Sequence, residues 1–426
     1  MAGVMLMYLP SLLFIFLLTI VGIVQAETRV PATLSELLRF AEKQNAITPE
    51  KLSQLPSLEG QKKTADALLF NNPELSYSNG IRKSLPGNPE QVDQREWDVG
   101  LSQTFEIAGQ QGHRQRVAEF ALNSYKSEVQ DAQNQVQLRT SILFYQLLML
   151  QEKVRLETEA VAIFTRAEAI IDKQRKDGGA TRLENNLASI ERQLAMNEQL
   201  LATQALAEAK GELARLLLTA TDNIPAMSGK LDNIKQKTPY TFALLNKKLN
   251  DAPAITAQTW KEKQAQANLM LQKAARIPDI SIGVNYANDG SANRRENLST
   301  ISLSVPLPLF QRNETEIGMA AADLSLSQVA LKTLRNDQEQ MLKILWDRME
   351  SLKARILVLN TQMVPLVEFN KQLTVRSREY GEIGIPAELL ASQQAINAYR
   401  SRLNILMEYH ITRLTLENIA GWKDAS

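Results

Sequence analysis

The stretch LSTISLSVPLPLFQRNETEIGMAAA, Leu298 to Ala322, changes its period partway along. Ile301, Leu303, Val305 and Leu307 alternate with Ser302, Ser304 and Pro306, which is the period of a strand with one apolar face. The chain then turns at 308–313 and continues as a long helical pattern. The same junction occurs upstream. Leu101, Ser102, Phe105, Ile107, Ala118 and Leu122 correspond to Leu303, Ser304, Leu307, Leu309, Ala320 and Leu324, each 202 positions on. Pro73-Glu74-Leu75-Ser76 corresponds to Pro278-Asp279-Ile280-Ser281 at an offset of 205, and Gly179 and Leu187 to Gly381 and Leu389 at 202. The chain reads as one unit written twice, and such a repeat takes precedence over any local motif.

Composition narrows the classes. The 426 residues carry a formal net charge of +1, so no long-range attraction to nucleic acid or acidic partners is expected. There is no cysteine. That excludes disulfides, thiolate metal sites, cysteine nucleophiles and a lipid on an N-terminal cysteine. Residues 1–26 read as a signal peptide: Leu12–Val24 is almost wholly apolar, and Val24-Gln25-Ala26 offers small residues for cleavage before Glu27. No Lys or Arg precedes the apolar run, and Val4–Val24 is long enough to span a bilayer, so an uncleaved anchor is the alternative.

Along the chain, residues 27–218 form a first structural repeat: helices 33–45 and 58–71 about a connector bounded by Pro49 and Pro56, strands 74–79 and 96–107, and long helices 112–176 and 181–218. After Gly112 there is no glycine or proline until Gly178. Val129, Val136, Leu143, Leu147, Leu150, Phe164 and Ile171 recur at coiled-coil spacing. Some 65 residues at the helical rise make about 100 Å. Residues 219–252 are a connector with one short helix. Residues 253–426 repeat the plan: helix 254–276, strands 279–287 and 298–307, and long helices 313–380 and 386–419. Leu345, Leu352, Ile356, Leu359, Met363, Leu366 and Leu373 keep the seam spacing, Met341 precedes them on it, and Pro365 is expected to kink the helix. Gly80–Gln94 and Asn288–Asn297 read as polar loops.

Four strands with one apolar and one small polar face match outer-membrane barrel strands. Four cannot close a barrel, and open edges are not tolerated in lipid. Single-chain barrels start near eight strands, so several copies must share one.

With its doubled junction, the PLPLF-x-RN run at Pro306–Asn313, FEIAGQQGHR at Phe105–Arg114 and the glycine-bearing tips before Leu187 and Leu389, the chain resembles the TolC-like outer membrane factor family, most closely its CzcC-like heavy-metal branch. The resemblance covers essentially the whole mature chain. The implied fold is mainly α with a small β part. Three copies share a transmembrane β-barrel of twelve strands, and long antiparallel coiled coils build a periplasmic α-barrel, with 219–252 as its equatorial connector. The implied function is an outer-membrane exit duct that passively conducts substrates, heavy-metal cations above all. Implied partners are a homotrimer, a periplasmic adaptor, an inner-membrane pump of the resistance–nodulation–division type and outer-membrane lipid.

In the family the helix tips close the entrance and meet the adaptor. The tip residues here are Asp177, Gly178, Gly179, Glu184, Gly381, Glu382, Gly384 and Glu388. Asp177, Glu184, Glu382 and Glu388 would form carboxylate rings under threefold symmetry; alternatively they are solvated helix-turn acids, and Glu184 and Glu388 also suit helix N-termini. Phe105, Gly109, Pro306, Pro308, Phe310 and Asn313 shape the strand-to-helix junctions. Trp97 and Tyr286 suit a membrane interface or plain strand packing. His113 and His410, the only histidines, stand apart, so no metal site, cofactor or catalytic group is expected. Three alternatives remain: a multidrug or general export duct of the same fold, a periplasmic coiled-coil adaptor, and a soluble α+β enzyme. Adaptors have one helical hairpin, whereas two are read here.

Overall fold

The structure is a computed structural model and describes residues 30–83, 94–232, 234, 238–291, 294–380 and 383–422. The expected signal peptide, 1–26, lies outside the described residues. In chain order the elements are α1 (Leu34–Lys43), α2 (Ile47–Leu52), α3 (Leu55–Ala65), β1 (Glu74–Arg82), β2 (Gln94–Phe105), α4 (Gln110–Lys176), α5 (Arg182–Leu216), α6 (Phe242–Leu249), α7 (Pro253–Ala274), β3 (Ile280–Ser291), β4 (Arg294–Ser304), α8 (Glu314–Val358), α9 (Val364–Glu379) and α10 (Ile385–Ile419). The helix α4 alone runs 67 residues, about 100 Å at the helical rise.

The strands form one antiparallel sheet in the order β1-β2-β3-β4. Register puts Leu75 opposite Leu101, Leu101 opposite Val284, and Val284 opposite Ile301, a row of exposed apolar side chains across all four strands. The next row, Ser76, Gly100, Asn285 and Thr300, lies on the other face. That face is crowded. A Cβ on Gly100 would sit 2.6 Å from Ser76 Oγ and 2.7 Å from Asn285 Oδ1, and one on Gly283 would sit 2.7 Å from Ser302 Oγ. Glycine stands where neighbouring strands bring side chains too close for another.

The strand bounds differ from the sequence reading. β1 and β2 pair through Arg82 and Gln94, and β3 and β4 through Ser291 and Arg294, so the ends of the expected loops Gly80–Gln94 and Asn288–Asn297 are ladder. Their polar residues pair across strands, as Asn288 does with Asn297 at 2.8 Å. At the other end β2 stops at Phe105 and β4 at Ser304, short of the expected 107 and 307. Pro306 has no N–H to continue the ladder. The expected helix 58–71 is α3, which starts earlier and ends at Ala65, and α2 occupies the start of the expected connector. Pro49 and Pro56 lie inside their first turns, where proline fits, rather than bounding a connector. Residues 67–71 leave the helix where side chains of β2 and the start of α4 take their carbonyls: Gln111 Nε2 donates to Ala67 O at 2.5 Å and Gln103 Nε2 to Asn71 O at 2.8 Å.

The expected helix 313–380 is interrupted. A π-helical segment, Leu359–Met363, separates α8 from α9 just before Pro365. Proline cannot donate into the preceding turn, and the wider π turn absorbs the gap. The buried stripe of α8, Leu342, Leu345, Met349, Leu352, Ile356 and Leu359, follows heptad spacing. Beyond the π segment Val364, Val367 and Thr374 are half-buried, each one residue later than the heptad would place it. Leu366 and Leu373, expected on the seam, are therefore 59% and 44% exposed. Met341, also expected there, is exposed, and Leu342 takes its place.

The helices pack in the lateral order α5, α4, α10, then α8 and α9; α7 lies between α4 and α8, and α1–α3 rest on α4. On α5 the buried residues Ala188, Ala195, Ala202 and Ala209 are seven apart, so small side chains meet α4 closely. The connector is folded onto the helices. Ile224, Met227, Leu231 and Tyr240 are buried in the largest core cluster with Leu147, Leu213 and Tyr409. Gln151 Oε1 accepts from Met227 N at 2.8 Å, and Ser228 N donates to Ala32 O at 2.8 Å. His410 stacks on Tyr145 with ring centroids 3.9 Å apart. Its Nε2 lies 2.8 Å from Leu231 O, so Nε2 carries the proton and donates. Burial, the largest influence, lowers its pKa to about 4.

One buried ion pair joins α4 to α10. Glu157 is fully buried, and Arg400 meets both its oxygens, Nε to Oε1 at 2.8 Å and Nη2 to Oε2 at 2.6 Å. Arg400→Ala leaves a carboxylate without its partner in the core, and thermal or denaturant unfolding should show a loss of about 3–5 kcal/mol. Replacing both partners by Glu157→Leu and Arg400→Met should restore most of it. For His410 the charged form is favoured in the unfolded chain, whose value of 6.5 lies above the folded one. Stability is therefore complete above pH 6.5 and falls by up to about 3 kcal/mol as pH drops toward 4. Melting curves across that window should flatten in His410→Phe, which keeps the stack and loses the titration.

Candidate functional site: helix tips and strand-to-helix junctions

The first tip is closed by backbone bonds at both helix ends. Asp177 caps α4, and Gly178 follows at φ 82°, a conformation that glycine adopts without strain. Gly178 N donates to Arg175 O at 3.2 Å and Gly179 N to Gln174 O at 2.7 Å, the two bonds of a Schellman close. After Ala180, α5 opens with a capping box. Thr181 Oγ1 accepts from Glu184 N at 3.2 Å, and Glu184 Oε2 accepts from Thr181 N at 2.7 Å. The Thr181 backbone bond, then its hydroxyl, hold the Glu184 carboxyl below its ordinary range. Beside them Asp172 pairs with Arg175 at 3.0 Å and Lys176 at 2.6 Å.

The second tip uses an ion pair. Tyr380 caps α9, Gly384 precedes α10, and Pro386 sits in the first turn. Arg378 Nη1 donates to both oxygens of Glu388, at 3.0 and 2.9 Å, tying the end of α9 to the start of α10. Gly381 and Glu382 lie outside the described residues. Of the four acids considered for the entrance, Glu184 and Glu388 are thus bonded within their own hairpins, and Asp177 is exposed at a helix end.

The two junctions share a device. Each long helix is preceded by a residue in the left-handed region, Gly109 at φ 77° before α4 and Asn313 at φ 61° before α8. Asparagine is among the few side chains that accept it. The cap is fixed from outside. Asn313 Nδ2 donates to Gln272 O at 2.9 Å. Buried Gln110 accepts from Ala108 N at 2.7 Å and donates to Asp279 Oδ1 at 3.1 Å. Arg114 grips both oxygens of Glu106 and lies 3.5 Å from the centre of the Phe70 ring. Phe105 ends β2, half-buried, while Pro306 and Phe310 are exposed and Pro308 is half-buried. On the outward face Trp97 and Tyr286 are in contact, ring centroids 5.8 Å apart.

Gln110 and Arg378 are absent from the sequence reading. Nothing marked Gln110 in the sequence. Arg378 was legible as a cation in a last helical turn ten residues before an acid in a first one. Among the described residues no group of three or more His, Asp or Glu side chains could hold a metal ion. His113 lies beside Arg116, with Nδ1 3.4 Å from a guanidinium nitrogen.

Comparison with known proteins gives the same picture from three sides. The model of the family described as outer membrane efflux protein matches residues 244–337. The chain is 22% identical over 404 residues to the cobalt-zinc-cadmium resistance protein CzcC of Cupriavidus metallidurans, covering 95% of this chain and 93% of that one. Among solved structures it superposes on the outer-membrane channel OprN with a TM-score of 0.79 (14% identity, 92% of this chain and 90% of that one). For CusC the values are 0.76, 15%, 92% and 92%, and for VceC of Vibrio cholerae 0.76, 17%, 91% and 96%. The mostly helical fold with its four-stranded antiparallel sheet is that of TolC-like channels. By fold the chain is TolC-like, and its residues 244–337 match the outer membrane efflux protein family.

Proposed function

We propose that this chain is one third of a trimeric outer-membrane exit duct that conducts heavy-metal cations passively from an inner-membrane pump and its periplasmic adaptor to the outside. The observation that carries the reading is a set of faces left open on a single copy. On α5 the large residues Leu183, Leu187, Ile190, Leu194 and Leu201 are exposed, opposite the alanine stripe that meets α4. At the other lateral edge, Leu366, Phe369, Leu373 and Tyr380 of the α9 segment are exposed. Both stripes approach the tips, one running away from them and one toward them, so the α5 edge of one copy fits the α9 edge of the next as an antiparallel coiled-coil pair. β1 and β4 are likewise open sheet edges. In lipid such edges require closure, and three copies of four strands give twelve.

The tips then surround the entrance, with Asp177 exposed at its rim and Glu184 and Glu388 holding the hairpins shut on themselves. The likeness to CzcC, a cobalt-zinc-cadmium resistance protein, supports metal cations as cargo. A duct that conducts passively has no catalytic step.

Ring closure predicts a register. Pairing from the tips brings Leu194 of one copy beside Phe369 of the next. Leu194→Cys with Phe369→Cys, in a chain that has no other cysteine, should yield a covalent trimer under mild oxidation in detergent. Either variant alone should stay monomeric on a denaturing gel, and a pair that never cross-links would sink the closure. The cargo is tested in vivo. A strain lacking the gene should become sensitive to cobalt, zinc, cadmium, copper or silver. Sensitivity confined to drugs and dyes would instead indicate a general export duct.

A further inference from the structure

The apolar outward face of the sheet does not end where the sheet ends. In β4 the outward positions Ile301 and Leu303 are followed, beyond the last ladder bond, by Val305, Leu307 and Leu309 at the same alternation. In β2, Phe105 and Ile107 continue the face of Trp97, Val99 and Leu101 after one polar position, Gln103, whose amide donates to Asn71 O. Leu307 is 75% exposed, Leu309 67% and Phe310 96%. Height gives the extension a purpose. At about 3.3 Å per residue and a tilt near 40°, Ile301–Leu303 covers only about 5 Å of membrane normal, whereas Ile301–Leu309 covers about 20 Å. Trp97–Ile107 covers about 25 Å, the height of the apolar band on outer-membrane barrels.

Backbone beyond a ladder is normally excluded from lipid because its N–H and C=O groups have no partners. Here that cost is reduced by the sequence itself. Pro306 and Pro308 have no N–H, and Leu309 N donates to Leu307 O at 2.9 Å, so three of the five amides from 305 to 309 present no free donor. Pro308 O accepts from Arg312 Nε at 3.3 Å. Immediately after Phe310 the composition changes to Gln311, Arg312, Asn313 and Glu314, and the Arg312 side chain is exposed. A cation one step beyond an apolar band sits at the depth of lipid phosphates and complements their charge.

We propose that Val305–Phe310, with Ile107 at the end of β2, is a membrane collar. These residues lie in the periplasm-facing phospholipid leaflet below the barrel, with Arg312 at the phosphate level. The proposal rests on the barrel reading above. The collar completes an apolar band that the hydrogen-bonded part of β4 leaves too short.

The absence of cysteine also supplies the test. Ile301→Cys, Leu309→Cys, Phe310→Cys and Glu316→Cys are made singly in the full chain, purified as the assembly, labelled with a nitroxide and reconstituted into phosphatidylethanolamine–phosphatidylglycerol vesicles. Paramagnetic relaxation by oxygen is compared with that by a water-soluble nickel chelate. The expected result is an oxygen-to-nickel ratio at Leu309 and Phe310 several-fold above that at Glu316, and lower than that at the deeper Ile301. If Ile301 reports lipid while Leu309 and Phe310 report water, or are shielded from both reagents by a neighbouring copy, the collar is overturned and the barrel stands. If Ile301 itself reports water, both fall.

Discussion

The structure depends on apolar surface that one copy cannot cover. The alanines of α5, spaced at sevens, let that helix approach α4 closely, and this leaves its leucines pointing away from the chain's own core. The sheet repeats the arrangement in two dimensions, with glycine and serine crowded on one face and Leu75, Leu101, Val284 and Ile301 bare on the other. At about 25 cal/mol per Å² of apolar area, such faces are too costly to leave in water. On the function proposed above, neighbouring copies and lipid cover them.

Against that incompleteness, the interior of each copy is tightly specified. The connector, poor in regular structure, is held by side chains from distant helices: Gln151, His410 and Glu417, which accepts from Tyr240 at 2.7 Å. Burial raises the Tyr240 hydroxyl well above its usual range, so it remains a donor. The buried Glu157–Arg400 pair fixes α4 against α10 more in register than in strength, since such pairs roughly balance their desolvation. For the proposed ring a fixed internal register matters, because any slip between α4 and α10 would misalign both lateral edges at once.

How much was legible follows from what each signal depends on. The strands and α4 were legible because their patterns are long and local: strict alternation in Ile301–Leu307, and a run of more than sixty residues free of glycine and proline in α4. The loops between paired strands were read too long because polar residues give no alternation when both faces meet water, though they pair well. The segment 46–71 was misread because proline marks a helix start as readily as a boundary. At the tips, glycine and acid were visible, but whether an acid faces the entrance or caps a helix depends on three-residue geometry, as between Thr181 and Glu184. Glu157 and Arg400 lie 243 positions apart, and no periodicity connects them.

The π segment at Leu359–Met363 has a consequence for how one helix can serve two masters. An α-helix advances about 100° per residue, so moving the inward stripe on by one position turns the heptad leucines by about that angle. Above the break a single stripe faces α10; below it, Val364, Val367 and Thr374 inherit that duty, and Leu366, Phe369 and Leu373 are released sideways. The uninterrupted α4 has no such phase slip and needs a separate helix, α5, to present its outward leucines. The two hairpins, alike in element order, thus expose their lateral stripes on different rods: the first on its second helix, α5, and the second on its first, past the π segment.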